Sequence, residues 1–418
     1  MKSYKIAIIG MGYVGLPLAL ALSKKFKVVG FDNSTKRIDS LKKFKDLNNE
    51  HSFYEINSRK KLLSFSKSHN EINDCNVYII CVPTPLKQKN KPDLSFLYEA
   101  TKLLLNKIKK NDLIIFESTV YPGATEEVVS EVFSKKKLEV NKDYYLGYSP
   151  ERVNPGDKKH NIKNVTKVIS GSNKIATKQI YEIYSSVIKK IHIASSIKIA
   201  ESAKIIENTQ RDINIALINE FSILFNKMNI DFSEVLKAAR TKWNFLDFKP
   251  GLVGGHCIGV DPYYLTHKCE KIGYKPRIIL AGRKINDQMA LYIVNKIKKQ
   301  FSLNKIILKN SNLLMIGLAF KENCSDIRNS QYLKIYKMLI NLGIKVDLCD
   351  PLVAKSAHAK NYNFLKKPSK KYDGIIISYK HKEMKYLNYK YVKKISKENS
   401  LIFDLKNIFK NQLVNFKL

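Results

Sequence analysis

The chain has 418 residues, of which 44% are hydrophobic, so it is too long for one ordinary domain and can bury two or three cores. A formal net charge of +37 would suit a polyanion partner, but the lysines are spread along the chain and form no basic arm, which favours solvated lysine faces over nucleic-acid binding. The six cysteines are scattered without a CxxC pair, which argues against a disulfide framework and favours reduced thiols in a cytoplasmic protein.

The first apolar run, IAIIGMGYVGLPLALAL at residues 6–22, permits two interpretations. Its length, the two lysines before it and its ALA sequence resemble a secretory signal peptide. However, its glycines are spaced as in a nucleotide-binding turn, and the following KKFKVVGFD completes a strand, helix and strand. We therefore predict a folded domain here. No other segment is long and apolar enough to span a bilayer, so no membrane insertion is expected.

A GxGxxG motif, formed by Gly10, Gly12 and Gly15, directly follows the first predicted strand, and Asp32 ends the next strand. The glycines let the chain turn and approach a pyrophosphate at a helix N-terminus, while the carboxylate accepts hydrogen bonds from ribose hydroxyls. An aspartate with no adjacent arginine favours NAD over NADP, although Arg37 lies one helical turn further on, within reach of the adenosine end. A glycine turn that binds no cofactor is the alternative.

Short apolar runs continue through the first half of the chain and alternate with amphipathic stretches: KIAIIG, KVVGFD, NVYIICV, DLIIFES, YYLGYS and TKVIS. This alternation predicts a parallel sheet with crossover helices. Two predicted strands end in CVPTP, with Thr84, and in ESTVYPGAT, with Thr119. These hydroxyl residues are either ordinary turn residues or ligands of the cofactor or substrate.

The middle of the chain is predicted to be helical, beginning with one long helix from about Ser195 to Met228 that contains no Gly or Pro. After Asn310 the alternation of strands and helices resumes, in NLLMIGLAF, IKVDLCDP, YDGIIISYK and SLIFDLK. The predicted fold is α/β, with two Rossmann-like doubly wound domains joined by a long central helix and a helical middle domain. The predicted domains are residues 1–194, 195–305 and 306–418.

A lone cysteine, Cys257, lies in WNFLDFKPGLVGGHCIGVDPYYL, whose four glycines and two prolines predict a loop pressed close to other atoms. A buried structural cysteine is the usual alternative, but this composition makes a packed core position unfavourable. His256 is adjacent, yet no second Cys/His pair stands at ligand spacing, so no metal is expected. The remaining interpretation is a nucleophilic thiolate.

On the long helix, Lys204 and Asn208 are four residues apart and share a face, with Glu201 one turn earlier. They form either a solvated polar stripe or a catalytic pair, in which the lysine moves a proton and both side chains stabilise a developing oxyanion. Glu151, in SPERVNPG after another predicted strand, is a candidate to position or activate water.

The order of motifs, GMGYVG, CVPTP, ESTVYPG, SPER, ESAKIIENT, GGHCIGVDP and GLAFKENCSDIRNS, covers nearly the whole chain and resembles the UDP-glucose/GDP-mannose dehydrogenase family. The resemblance implies an NAD-binding first domain, a central helical dimerisation domain that carries the cysteine loop, and a last domain that binds the UDP-sugar. It also implies a cytoplasmic homodimer.

The resemblance also implies roles for particular residues. Cys257 would be the nucleophile, Lys204 the general acid and base, and Asn208 an oxyanion partner. Glu151 and Asp261 would assist thioester hydrolysis, and Thr119 would bind water or the cofactor. The implied cofactor-binding residues are Gly10, Gly12, Tyr13, Val14, Gly15, Asp32, Arg37, Thr84, Thr119 and Arg328. The implied substrate-binding residues are Glu151, Arg152, Lys204, Asn208, Arg211, Gly254 and Lys321.

The thiol has a chemical purpose in this interpretation. Oxidation of a C6 hydroxyl to a carboxylate requires two hydride transfers, and the intermediate aldehyde has no hydroxyl from which to lose the second hydride until a nucleophile adds to it. Addition of Cys257 gives a thiohemiacetal, whose oxidation gives a thioester that water cleaves. We therefore expect two NADH per sugar.

UDP-glucose dehydrogenases usually carry CxPKD where this chain has CIGVD, whereas SPERVNPGD and ENTQRDINIALINE resemble UDP-N-acetylhexosamine dehydrogenases. UDP-GalNAc or UDP-GlcNAc is therefore the expected substrate, and capsule or O-antigen synthesis the expected pathway. Three alternatives remain: a UDP-glucose 6-dehydrogenase, a one-step hydroxyacid dehydrogenase that does not need Cys257, and a non-catalytic nucleotide sensor or polyanion-binding protein.

Overall fold

The computed structural model describes residues 3–48, 50–152, 162, 164–255, 258–409 and 412–418. The chain divides into two compact units. The first comprises Met1–Glu207 and Tyr263–Tyr274, and the second comprises Asn208–Pro262 and Lys275–Leu418. The separate division into three domains at residues 194/195 and 305/306 stays a prediction.

The first unit contains an eight-stranded sheet with the strand order β3-β2-β1-β4-β5-β6-β7-β8. Its strands are β1 Lys5–Ile9, β2 Lys27–Phe31, β3 Leu63–Ser66, β4 Val77–Ile80, β5 Asp112–Phe116, β6 Tyr144–Tyr148, β7 Lys167–Gly171 and β8 Ile191–Ile193. Its helices are α1 Gly15–Leu22, α2 Thr35–Lys42, α3 Phe53–Asn57, α4 Ser95–Leu104, α5 Ala124–Phe133 and α6 Lys174–Ser185. Strands β4 and β5 are buried along their whole length, as expected of apolar strands covered on both faces.

The doubly wound arrangement is confirmed, but the prediction of a parallel sheet is wrong for one pair of strands. Strands β6 and β7 are antiparallel, with Gly147 opposite Gly171 and Tyr148 opposite Ser170. An antiparallel neighbour does not require a crossover helix, so the segment between β6 and β7 needs none. Two strands of this sheet were also missed: β3 is short and half polar, and β8 has only three residues.

The second unit contains a five-stranded sheet in which every pair of neighbours is parallel, with the order β10-β9-β11-β12-β13. Its strands are β9 Asn312–Ile316, β10 Lys345–Cys349, β11 Tyr372–Ile377, β12 Ser396–Asp404 and β13 Phe416–Lys417. The remaining helices of the chain are α7 Ile197–Lys227, α8 Phe232–Ala239, α9 Asp261–Lys271, α10 Arg277–Leu303, α11 Gln331–Asn341 and α12 Tyr389–Lys394. The second doubly wound sheet and the long central helix are thus confirmed.

Within the second unit, a buried polar network joins α7, α10 and the start of the cysteine loop. Arg283 donates to Oδ1 of Asp212 at 2.6 Å, and Nδ2 of Asn286 donates to the same oxygen at 2.8 Å. Asn219 donates to the carbonyl oxygen of Gly251 at 3.0 Å and accepts from its N–H at 2.8 Å. Because all four side chains are at most 3% exposed, the network has little water to replace a lost partner.

We predict that Arg283→Met lowers the free energy of unfolding by about 3–5 kcal/mol, because it leaves the Asp212 carboxylate buried without its cation. Urea titration followed by circular dichroism measures the change. Lys284→Met alters an exposed neighbour on the same helix and should cost less than about 0.5 kcal/mol. Equal losses in the two variants would contradict a stabilising role for the network.

Candidate functional site

The turn between β1 and α1 has backbone constraints that only glycine meets. Gly10 has φ +99°, and a Cβ there would lie 2.7 Å from the carbonyl oxygen of Cys81. A Cβ on Gly15 would lie 1.8 Å from the carbonyl oxygen of Gly10. At Gly12, in contrast, a Cβ would meet nothing within 4 Å. The turn therefore leaves open space beside Gly12, where a pyrophosphate would approach the backbone.

Asp32 and Arg37 hold this turn from two sides. The carboxylate of Asp32, which is only partly buried, accepts from the N–H of Met11 and from that of Ser34, each at 2.8 Å. Each carboxylate oxygen keeps a lone pair for a ribose hydroxyl. Nε of Arg37 donates to the carbonyl oxygen of Met11 at 2.7 Å, and Nη1 donates to Asp46 at 2.6 Å. Nη2 of Arg37 is buried and has no hydrogen-bond partner in the described part of the chain.

The other predicted cofactor residues of the first unit follow neighbouring strands. The strand order reverses at β1, whose neighbours are β2 and β4, and ligands of such sheets bind beyond the carboxyl ends of the strands at this point. Thr84 follows β4 and Thr119 follows β5; both are partly buried, and neither hydroxyl hydrogen-bonds to another described residue. Tyr13 and Val14, just before α1, are also partly exposed. The residues present therefore fit a dinucleotide.

The residues after β6 include an acid, Glu151, and an arginine, Arg152, whose guanidinium already has protein partners. Glu151 is partly buried and accepts a hydrogen bond from the N–H of Arg152 at 2.8 Å. The guanidinium of Arg152 pairs with Glu207 at 2.8 Å and donates to the carbonyl oxygen of Thr166 at 2.7 Å. The predicted substrate contact of Arg152 would have to share this guanidinium with its protein partners.

Helix α7 carries acidic and basic side chains with different surroundings. Glu201 accepts from the N–H of Gly123 at 2.5 Å and from that of Thr125 at 2.9 Å, so it caps α5. Burial raises the pKa of Glu201 to about 7.

Lys204 is only 8% exposed, and its ammonium makes no hydrogen bond or ion pair with another described residue. Arg211 is exposed and likewise has no described partner. A buried lysine without a partner is costly, which favours a functional role for Lys204 over a structural one.

The structure brings together two residues that lie 53 positions apart in the sequence. Nδ2 of Asn208 donates to Oδ2 of Asp261 at 2.5 Å. Asp261 is 2% exposed and is the first residue of α9, where the positive end of the helix dipole favours a carboxylate. The two residues therefore form one partly buried pair, in which Asp261 directly follows the cysteine loop.

The glycines of the cysteine loop pack against the segment that contains Lys321 and Arg328. A Cβ on Gly254 would lie 2.8 Å from the carbonyl oxygen of Asn329, and one on Gly255, which has φ +83°, would lie 2.8 Å from the ring of Phe320. Nδ2 of Asn329 donates to the carbonyl oxygen of Gly255 at 3.3 Å. Cys257 and His256 lie outside the described residues. On the described side of the loop, the expected close approach of the glycines is present.

The two predicted basic ligands have neighbours within their own segment. Nζ of Lys321 lies 5.4 Å from the centroid of the Phe320 ring. Arg328 forms a two-pronged ion pair with Asp326, with the shortest contact at 2.7 Å. Both side chains remain predicted ligands.

Sequence reasoning missed a buried cluster of Glu117, Lys167 and Tyr184 in the first unit. Lys167 is 5% exposed, Glu117 is 1% exposed and Tyr184 is fully buried. The available signal was a lysine at the start of the apolar strand TKVIS, but the sequence does not show which residues lie opposite that strand.

No helix in the described part of the chain is long and apolar enough to cross a membrane.

Three family models match the chain in the expected order. They are the NAD binding domain, the central domain and the UDP binding domain of the UDP-glucose/GDP-mannose dehydrogenase family, at residues 4–188, 198–288 and 314–411 respectively. The chain therefore belongs to this family, and the resemblance inferred from its motifs is confirmed. It is an NAD-dependent oxidoreductase.

Several named dehydrogenases of this family are similar to the chain along nearly its whole length. A UDP-N-acetyl-D-glucosamine 6-dehydrogenase of Pseudomonas aeruginosa is 46% identical over the full length of both chains. A protein of the same name from Salmonella typhi is 45% identical over 97% of this chain and 96% of its own. Among solved structures, a UDP-D-ManNAc dehydrogenase of Pyrococcus horikoshii superposes with a TM-score of 0.86 at 29% identity, covering 99% of this chain and 97% of its own.

We predict that Asp32→Ala weakens NAD binding by about 10- to 100-fold, because two hydroxyl hydrogen bonds to a charged acceptor are lost. The preference for NAD over NADP should also fall, because the carboxylate no longer repels a 2′-phosphate. Fluorescence titration with each cofactor measures both changes. Asp39→Ala, at an exposed position on α2, is the control. Unchanged NAD affinity in Asp32→Ala would remove Asp32 from the cofactor site.

Proposed function

We propose that this enzyme oxidises the C6 hydroxyl of UDP-N-acetyl-D-glucosamine to the carboxylate, with two NAD reduced per sugar. The observation that carries the proposal is the similarity to two UDP-N-acetyl-D-glucosamine 6-dehydrogenases, at 45–46% identity over at least 97% of the chain. The sequence motifs left UDP-GalNAc and UDP-GlcNAc open, and these relatives favour the second. The uronic acid product would supply surface polysaccharide synthesis.

In the proposed reaction, bound NAD would accept the two hydrides, one in each oxidation step. Lys204 takes the proton from the C6 hydroxyl, and a lysine with no other described partner is suited to exchange protons with a substrate. The thiolate of Cys257 then adds to the aldehyde carbon. Asn208, oriented by its hydrogen bond to Asp261, donates to the oxygen that becomes negative on addition.

Hydrolysis of the thioester completes the reaction. Glu151 orients and deprotonates the attacking water, and Asp261 supports the same step through Asn208. Gly254 lets the loop lie against the segment of Lys321 and Arg328, which are the proposed contacts to the nucleotide part of the substrate. Thr84 and Thr119, whose hydroxyls have no described partner, are proposed to hydrogen-bond to the cofactor or to water.

The stoichiometry of NADH tests this proposal. We expect wild type to form two NADH per UDP-GlcNAc consumed, measured by absorbance, and to turn over UDP-GalNAc and UDP-glucose less efficiently. Cys257→Ser should stop before the second oxidation or accumulate a trapped ester, because an alkoxide is a poorer leaving group than a thiolate.

Each alternative function gives a different result. A one-step hydroxyacid dehydrogenase would form one NADH and would keep its rate in Cys257→Ser. A UDP-glucose 6-dehydrogenase would prefer the sugar without the acetamido group. A polyanion-binding protein would form no NADH and would bind with a steep dependence on salt concentration.

We propose further that the enzyme is a homodimer that works in the cytoplasm. Leu217, Phe221 and Leu224 recur at helical spacing on α7 and are 45%, 38% and 48% exposed. An exposed apolar stripe of this kind is suited to the same stripe on a second copy. The scattered cysteines, without a disulfide framework, support a reducing compartment.

We predict that the double variant Leu217→Glu/Leu224→Glu is monomeric, because like charges would face each other across the interface. Light scattering after size-exclusion chromatography should give about 48.1 kDa for the variant and twice that mass for wild type. Glu220→Ala, an exposed neutralising change on the same helix, should stay dimeric. An unchanged mass in the double variant would place the interface elsewhere.

A further inference from the structure

A buried lysine in the first unit connects the interior of the sheet to the segment that carries Glu151. Lys167 is the first residue of β7, and its Nζ donates to Oε2 of Glu117 at 2.5 Å. Tyr184, on α6, donates its hydroxyl hydrogen to the other oxygen of Glu117. The Nζ also lies 5.3 Å from the centroid of the Tyr184 ring. The ammonium is thus fixed on one side by a carboxylate and an aromatic ring.

The antiparallel pairing of β6 and β7 directs this lysine toward the end of β6. Continuing the register from Tyr148 and Ser170 brings the start of β7 beside the residues that follow β6. Nζ of Lys167 donates to the carbonyl oxygen of Pro150 at 3.2 Å and lies 4.0 Å from Oε2 of Glu151. If β7 ran parallel to β6, Lys167 would lie beside the start of β6 and not beside its end. One ammonium therefore contacts the backbone before Glu151 and also its carboxylate.

Several titratable groups face this ammonium. Burial raises the pKa of Glu117 to about 7, even though the ammonium of Lys167 lowers it. Burial also raises the pKa of the Tyr184 hydroxyl and that of the Cys81 thiol well above their usual values, so both stay protonated. Glu151, which lies in the SPER motif, is the second acid within 4.0 Å of this ammonium among the described residues. The guanidinium of the adjacent Arg152 is directed to Glu207 and a carbonyl oxygen.

We propose that Lys167 is a positioning residue for thioester hydrolysis, whose ammonium holds the Glu151 carboxylate in place. This inference rests on the proposed function. In the step concerned, the water oxygen bonds to the thioester carbon and one water proton passes to Glu151. The C–S bond breaks, and its electron pair returns to the Cys257 sulfur as a thiolate. The carboxylic acid product then ionises.

The competing role for Lys167 is purely structural, namely neutralisation of Glu117 in the core. The two roles differ in the effect of removing the charge. A structural lysine affects stability and leaves the catalytic steps in their normal proportion. A lysine that positions Glu151 changes one step, hydrolysis, and leaves the two oxidations unchanged.

The test compares wild type with Lys167→Met and with Lys167→Met/Glu117→Leu. The double variant removes both charges, so no unpaired charge stays buried and folding is preserved if the single variant fails to fold. Intact-protein mass spectrometry of rapidly quenched turnover measures the fraction of enzyme that carries the sugar as an acyl adduct. Steady-state kcat and KM are measured on the same variants.

In both variants we expect the acyl adduct to accumulate and kcat to fall by about 10-fold or more, the size of one lost charge-assisted contact. KM for the UDP-sugar and the rate of the first NADH burst should not change. Lys167→Arg, which keeps the charge, should partly restore kcat.

Lys174→Met, an exposed position on α6, is the matched control and should behave as wild type. The inference is overturned if the folded double variant keeps the wild-type kcat and shows no additional adduct. Failure of the proposed function looks different, because wild type itself would then form fewer than two NADH per UDP-GlcNAc.

Discussion

The amide N–H groups of the turn after the first strand of each sheet need acceptors, and in both units a carboxylate at the end of the next strand supplies one. Asp32 accepts from Met11 in the first unit, and Asp350 accepts from the N–H of Leu318 at 2.8 Å in the second. Each turn also contains a glycine at positive φ, Gly10 at +99° and Gly317 at +93°. The position of each turn relative to its sheet depends on this pair of features.

The two carboxylates differ in what covers them. Asp350 is fully buried, and it also accepts from the Tyr379 hydroxyl at 3.1 Å and pairs with His381 at 3.0 Å. Among the described residues, Asp32 accepts only from backbone N–H groups, and it stays partly exposed. The carboxylate is therefore covered by side chains in the second sheet and left partly exposed in the first. The first sheet is the one that matches the NAD binding domain of the family.

Several charged groups of the chain are buried where water is scarce, and most of those described have protein partners. Asn208 holds Asp261, and Lys167 holds Glu117 and the end of β6. Lys204 is the exception among them, since its buried ammonium has no partner in the described part of the chain. A buried ammonium without a described partner is costly unless a ligand pairs with it.

The sequence by itself determined the features that depend on neighbouring residues: the glycine turn with Asp32, the apolar strands, the length of α7 and the spacing of Lys204 and Asn208. These are readable because strand and helix periodicities are local. Which residues meet across the fold was decided only by tertiary structure. The contacts of Gly254 with Phe320 and of Asn208 with Asp261 join distant segments. The position of Lys167 beside Glu151 depends on β7 running antiparallel to β6, a direction that an apolar run does not encode because its side-chain alternation is the same both ways.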